Sequence, residues 1–229
     1  MKAIGIGFSL ILFLITCLSA QNNKPFRVLA GTRVEDCIPF REMYRFPEFK
    51  DGQVFMINGA TVTTKFNYNL LLNEMQYLKL TDTLSIANNN EVRLIAIEGD
   101  TFYFDKGYLE QIYSHTIKVA IKQYFKLKEI QKKDSYGIAG SNSATDSYSS
   151  IIADGQSYKL ISSHDRVYQK VIEYYIATAS GGFVPFTKKK VTQLFPQNKK
   201  AIEAYLKSNR VDFDSREDLI RFSEYLSDL

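Results

Sequence analysis

The stretch Thr116-Ile-Lys-Val-Ala-Ile-Lys-Gln-Tyr-Phe-Lys-Leu127 decides the fold. Ile117, Val119, Ile121, Phe125 and Leu127 fall on one side of an extended chain, with Gln123 as the single polar member of that set. Lys118, Lys122, Lys126 and Lys128 fall on the other side. A helix would scatter these lysines around its circumference, whereas the two-residue repeat of a strand separates them from the apolar set. The segment is therefore a long strand with one dry face and one basic face. Lysine on an exposed strand discourages edge-to-edge pairing, and a row of lysines also attracts anions, so Lys118, Lys122 and Lys126 are candidate contact residues.

The alternation continues towards the N-terminus. Thr64, Phe66 and Tyr68 share one side of an extended segment, and Thr63, Lys65, Asn67 and Asn69 share the other. This segment follows Asn58-Gly59, a pair that favours a tight hairpin. Residues 54–57, Met75 with Tyr77, and residues 83–86, 92–97 and 101–104 read as further strands. Asn88-Asn89-Asn90, Gly99-Asp100 and Asp105-Lys106-Gly107 mark turns between them. The β-rich composition begins after Asp51-Gly52.

Towards the C-terminus, residues 135–150 are rich in Ser, Gly, Ala and Asn and read as a long surface loop. Tyr136 and Tyr148 flank it, where an aromatic side chain serves contact more often than packing. Residues 157–161 form another expected strand. Residues 166–178 are strongly β-forming with both faces partly apolar, so the strand is central or one of its faces is covered by helices. The closing residues supply such helices. Thr187 can cap a short helix, residues 198–209 place Ile202, Tyr205 and Leu206 on one stripe, and Asp214 with Glu217 forms a capping-box pattern ahead of Leu219, Phe222 and Leu226. Helices this short need a surface to lie on. The predicted class is α+β: a mainly antiparallel curved sheet or partly open barrel, with two or three C-terminal helices packed on it.

The chain has 229 residues, 45% hydrophobic and 24% charged, with a net charge of +4. This excludes a disordered chain and permits a substantial core. Residues 1–20 read as a signal peptide: Lys2, an apolar run from Ile4 to Leu18, then Leu18-Ser19-Ala20 ahead of Gln21. The apolar run is too short for a membrane span, so no transmembrane segment is expected after cleavage. Residues 21–50 read as a partly ordered leader, and residues 51–229 as one domain whose helices occupy 187–229. Removal of the signal leaves Cys37 as the single cysteine, so stability must come from packing rather than a disulfide.

Signals of chemistry are sparse. Two distant histidines, His115 and His164, and no paired cysteines leave no zinc spacing, so no metal and no cofactor is expected. His164-Asp165 after Ser162 and Ser163 has the residue types of a relay, but adjacent strand residues face opposite ways. Glu74, Glu98, Asp100, Glu110 and Glu173 lie in or beside strands and are the acids from which a hydrolytic pair could be drawn. No single residue is singled out as catalytic. The modest charge and the expected export argue against nucleic acid as a partner.

Phe66-Asn67-Tyr68-Asn69 followed by Asn73-Glu74-Met75, residues 102–108, Ser135-Tyr136-Gly137, and the ending from Phe195-Pro196 to Tyr225 carry a resemblance. The chain resembles a broad group of secreted β-rich proteins of Bacteroidetes that have a C-terminal helical tail. The resemblance implies a secreted, periplasmic or envelope location and no activity. Asn67, Tyr68, Asn69 and Glu74 join the candidate contact residues on this basis, against the plainer reading of a strand that ends in a polar turn. The leading expectation is a non-enzymatic exported structural or binding protein that engages an envelope protein or small ligand. The alternatives are a carboxylate-based envelope hydrolase and a carrier of a small apolar or anionic ligand. A carrier requires an apolar cavity, and a hydrolase requires two facing acids in a pocket.

Overall fold

The computed structural model describes residues 24–133, 139–143 and 164–229. In chain order it contains β1 (Phe26–Val28), short helices α1 (Val34–Cys37) and α2 (Phe40–Met43), β2 (Lys50–Met56), β3 (Thr61–Asn69), β4 (Glu74–Lys79), β5 (Asp82–Ser85), β6 (Val92–Ile97), β7 (Asp100–Phe104), β8 (Tyr108–Ser114) and β9 (Lys118–Lys133). There follow β10 (Ala139–Ser143), β11 (Asp165–Ala177), β12 (Phe183–Pro185) and helices α3 (Lys188–Leu194), α4 (Lys199–Asn209) and α5 (Arg216–Ser227). The twelve strands form one sheet in the order β1-β11-β9-β8-β7-β6-β2-β3-β4-β5, with β10 added to β9 and β12 to β11. Every ladder is antiparallel, and the two ends of the path do not pair with each other.

The sheet is nevertheless strongly curled. Beyond Ile121, β9 extends past its pairing with β8, and the Phe125 amide donates instead to the Leu70 carbonyl at 2.9 Å. Leu70 lies just after β3, five places along the path from β9, so the two can meet only if the intervening strands bend round. Tyr68 strengthens the same junction by donating from its hydroxyl to the Gln123 carbonyl at 3.0 Å. Irregularities in register between Gln111 and Tyr113 on β8, and between Val167 and Tyr168 on β11, add local twist. Gly52 is required at one crowded point, because a Cβ there would lie 2.6 Å from the Ala96 carbonyl oxygen.

The dry face of β9 serves two cores divided at Gln123. Phe125 belongs to the first core with Phe66, Tyr68, Ile95, Ile97, Phe102 and Tyr108, and Leu127 packs against it. Val119 and Ile121 belong to the second, with Tyr174 and Ile176 of β11 beneath Phe186, Val191, Ile202, Leu219, Phe222 and Leu226. One face of β11 is thus roofed by the three helices. Phe222, fully buried, contributes about 1.5–3 kcal/mol by leaving water. Among the described residues no helix is long and apolar enough to cross a membrane.

Four features depart from the sequence reading. Residues 24–50 are woven into the body rather than leading up to it: β1 pairs with β11, and Val34, Ile38, Met43 and Phe46 are buried in the first core. Tyr108–Ser114 forms β8, although its short apolar run sits beside a Glu-Gln pair that hides the alternation. Ala139–Ser143, inside the stretch read as a loop, forms β10 on the edge of β9. The cap of α5 is Ser215, which accepts from the Asp218 amide at 3.3 Å, not Asp214. The expected strand at 157–161 lies outside the described residues.

Candidate functional site

β3 is longer than its neighbour. It pairs with β2 from Thr61 to Phe66, but with β4 only from Phe66 to Asn69, so residues 61–65 have no ladder on the β4 side. Where the two strands part, the Thr64 hydroxyl donates to the Leu78 carbonyl at 2.8 Å and bridges the gap with a side chain. The link between β5 and β6 lies nearby and lines the same space. Ile86 donates its amide to the Met75 carbonyl at one end, and Ile57 donates to the Glu91 carbonyl at the other.

Strand divergence and this link together leave a cleft of about 270 Å³. Val54 and Phe66, both buried, form its floor, and Met56, Tyr77 and Ile86, partly buried, form its walls. Val62 stands at the rim with 53% of its surface exposed. Thr64, Asn88 and Glu91 supply the polar margin. The floor and walls belong to the first core, so the cleft is an opening into that core rather than a separate surface dent. Its size corresponds to roughly nine water-sized volumes of about 30 Å³. A small apolar group fits that space, and a polar one would meet unpartnered hydrocarbon.

The acids do not converge on this cleft or on each other across open space. Glu110, only 4% exposed, is held by Arg45 through two hydrogen bonds of 2.6 and 2.7 Å. Asp100 lies 3.8 Å from the same guanidinium, so one arginine stands between the two carboxylates. Its hydrogen bonds to Glu110 raise the Arg45 pKa against the opposing effect of burial. Glu74 accepts from the Ser85 hydroxyl at 2.5 Å. Glu98 lies 3.5 Å from Lys50, with more than half of its side chain exposed. Asp165, beside His164, accepts from the Ala30 amide at 2.9 Å and ties down the segment that follows β1. Among the described residues no group of His, Cys, Asp and Glu is placed to hold a metal ion.

Asn67, Tyr68 and Asn69 are buried. Residues 46–49 leave the line of β2, and Asn67 supplies the hydrogen bonds they would otherwise lack. Its side chain accepts from the Phe46 amide and donates to the Phe46 and Glu48 carbonyls. Asn69 accepts from the Leu71 and Leu72 amides and so shapes the turn after β3, while Asn73 takes φ +58 within it. Tyr68 spans the first core, with its hydroxyl between Asn73 and the Gln123 carbonyl. These side chains hold the curl together, so the alternation expected to leave Asn67 and Asn69 wet is overridden by the covering segment.

Lys118, Lys122 and Lys126 do share the outer face of β9, opposite the two cores. Lys118 lies 5.2 Å from the Tyr103 ring centre, with its Nζ 3.3 Å from the hydroxyl. Lys122 donates to the Lys106 carbonyl at 2.8 Å and sits over Tyr124; burial lowers its pKa, partly opposed by Glu173 and Asp105. Glu173, directly across from Lys122 on β11, accepts from Tyr124 at 3.1 Å and from Tyr175 at 2.9 Å. Burial first, and the Glu173 hydrogen bond second, push Tyr175 up to about 12. Lys118 and Lys122 are therefore individually engaged with a hydroxyl, a carbonyl and aromatic rings. Tyr136 and Tyr148 lie outside the described residues.

Sequence reasoning did not find Met56, Val62 and Ile86 as site residues. The available signal was a mismatch in length, nine residues in β3 against six in β4, which leaves alternating residues of β3 without a neighbour. Fold and cleft define an open, curled antiparallel sheet protein with an apolar entrance to its core. No protein family, curated protein or solved structure matches the chain.

Proposed function

We propose that the chain is a non-enzymatic binding protein that takes a small apolar group into the cleft between β3, β4 and the β5–β6 link. One observation carries the reading: the cleft is walled by core hydrocarbon, with Val62 held exposed at its rim. This lining supports the carrier reading, which asks for an apolar cavity. Of the acids from which a hydrolytic pair could be drawn, Asp100 and Glu110 both face the Arg45 guanidinium, at 3.8 and 2.6 Å, which favours a structural role for them. The signal-like residues 1–20 support export to the periplasm or beyond, where the group bound would belong to an envelope protein or a small free ligand.

A homologous series of short alkyl compounds tests this, followed by methyl NMR shifts of Val54, Val62 and Ile86. Affinity should rise about fourfold for each added methylene, corresponding to about 0.8 kcal/mol, until the cleft is full. Val62→Lys should abolish the trend while leaving the fold intact. Shifts that cluster away from these methyls, or an affinity indifferent to chain length, would contradict the assignment.

A further inference from the structure

Basic charge is concentrated on α3 and α4. Between positions 188 and 210 the chain carries Lys188, Lys189, Lys190, Lys199, Lys200, Lys207 and Arg210 against a single acid, Glu203. All seven are exposed. None has a carboxylate within ion-pair distance among the described residues, whereas Arg33, Arg45, Lys50, Lys65 and Arg221 each have one. The block is continuous, because α3 and α4 are joined only by Phe195 and the turn Pro196–Asn198. Ile202 points into the second core together with Tyr205 and Leu206, which leaves Lys200 and Lys207 on the far side of α4.

Five of the seven charges are placed where a helix tolerates them least. Lys188, Lys189 and Lys190 fill the first turn of α3, and Lys199 and Lys200 begin α4, at the positive ends of the helix dipoles. The next helix opens on Arg216 but follows it with two acids, Glu217 and Asp218, in its first turn. Local helix stability therefore does not account for these five lysines, and the field they project does. The aromatic residues of this region are turned inward: Tyr205 stacks on Phe222 and Tyr225, and Phe195 packs against the second core. A partner that needs exposed rings for stacking, such as single-stranded nucleic acid, is poorly served. A plane of negative charge is well served, and the export expectation brings membrane surfaces within reach.

We infer that the outer face of α3 and α4 docks the protein on anionic lipid headgroups. The helices lie over β9 and β11, whereas the cleft is lined by residues of β2, β3, β4 and the β5–β6 link, none of them from α3 or α4.

Flotation of the full chain with vesicles tests the inference. The vesicles are phosphatidylcholine alone or phosphatidylcholine mixed with phosphatidylglycerol. Binding should require phosphatidylglycerol and weaken steeply with added salt. Each lysine near an anionic surface is worth roughly fivefold in affinity, so Lys188→Gln, Lys189→Gln and Lys190→Gln together should cost on the order of a hundredfold. A second variant, Lys207→Gln with Arg210→Gln, should cost on the order of twentyfold or somewhat more, and Lys50→Gln with Lys65→Gln should leave binding unchanged. Circular dichroism checks that each variant is folded. Equal binding to both vesicle types, retention of full affinity by both helix variants, or tighter binding to duplex DNA or a sulfated polysaccharide than to the anionic vesicles would overturn it.

Discussion

Glu110 is the residue most constrained by its surroundings. Its carboxylate is buried on β8, and both oxygens are taken by Arg45, which itself comes from the segment after α2. A pair of this kind ties the N-terminal segment to the middle of the sheet. Removing Arg45 leaves the buried Glu110 charge without compensation, which is far more costly than removing both partners. Arg45→Met should therefore lower unfolding stability by about 3 kcal/mol in urea titration, and Arg45→Met with Glu110→Leu should cost clearly less than the single change. A double variant as damaged as the single one would show that the pair does not act as a unit. Asn67 illustrates why such residues resist reading in sequence. It looks like a wet-face residue because the chain that covers it, residues 46–49, lies about twenty positions away and carries no local mark of doing so.

At the scale of elements, the long strand was legible because its pattern is extreme. Alternation over 117–127 admits one secondary structure, and β9 extends through Lys133 in the same sense. β8 was not legible, since Tyr108, Leu109 and Glu110 are buried in succession and periodicity vanishes when both faces of a strand are covered. The helices were legible from their stripes, and Thr187 does cap α3 by accepting from the Lys190 amide. The start of α5 was displaced by one residue, because Asp214 and Ser215 are both good caps and only geometry chooses between them. Ser215→Ala should cost about 1 kcal/mol and Asp214→Ala much less, as read by thermal or urea unfolding. The reverse order would place the cap at Asp214 after all. The cleft escaped detection for a related reason: it arises from two strands parting company, which is a property of neither sequence taken alone.

For the whole molecule, the open sheet works as one continuous spine. The pair β9 and β11 contributes Phe125 and Tyr168 to the first core and Ile121, Tyr174 and Ile176 to the second, so neither core is complete without the other's strands. The polar member of the strand pattern, Gln123, falls at the division between them, where its carbonyl receives the Tyr68 hydroxyl. The predicted α+β class, with an antiparallel curved sheet and C-terminal helices, is the architecture observed. The extent of the curl was not visible in sequence, because it depends on the turn at Leu70 reaching β9. Native-state amide hydrogen exchange in mild denaturant tests this continuity most directly. The amides of Ile95 and Phe102 in the first core and of Ile121 and Ile176 in the second should open with one common free energy, that of global unfolding. A second-core pair that exchanges through a separate, much cheaper opening would mean that the two cores are independent bodies, and would contradict the account.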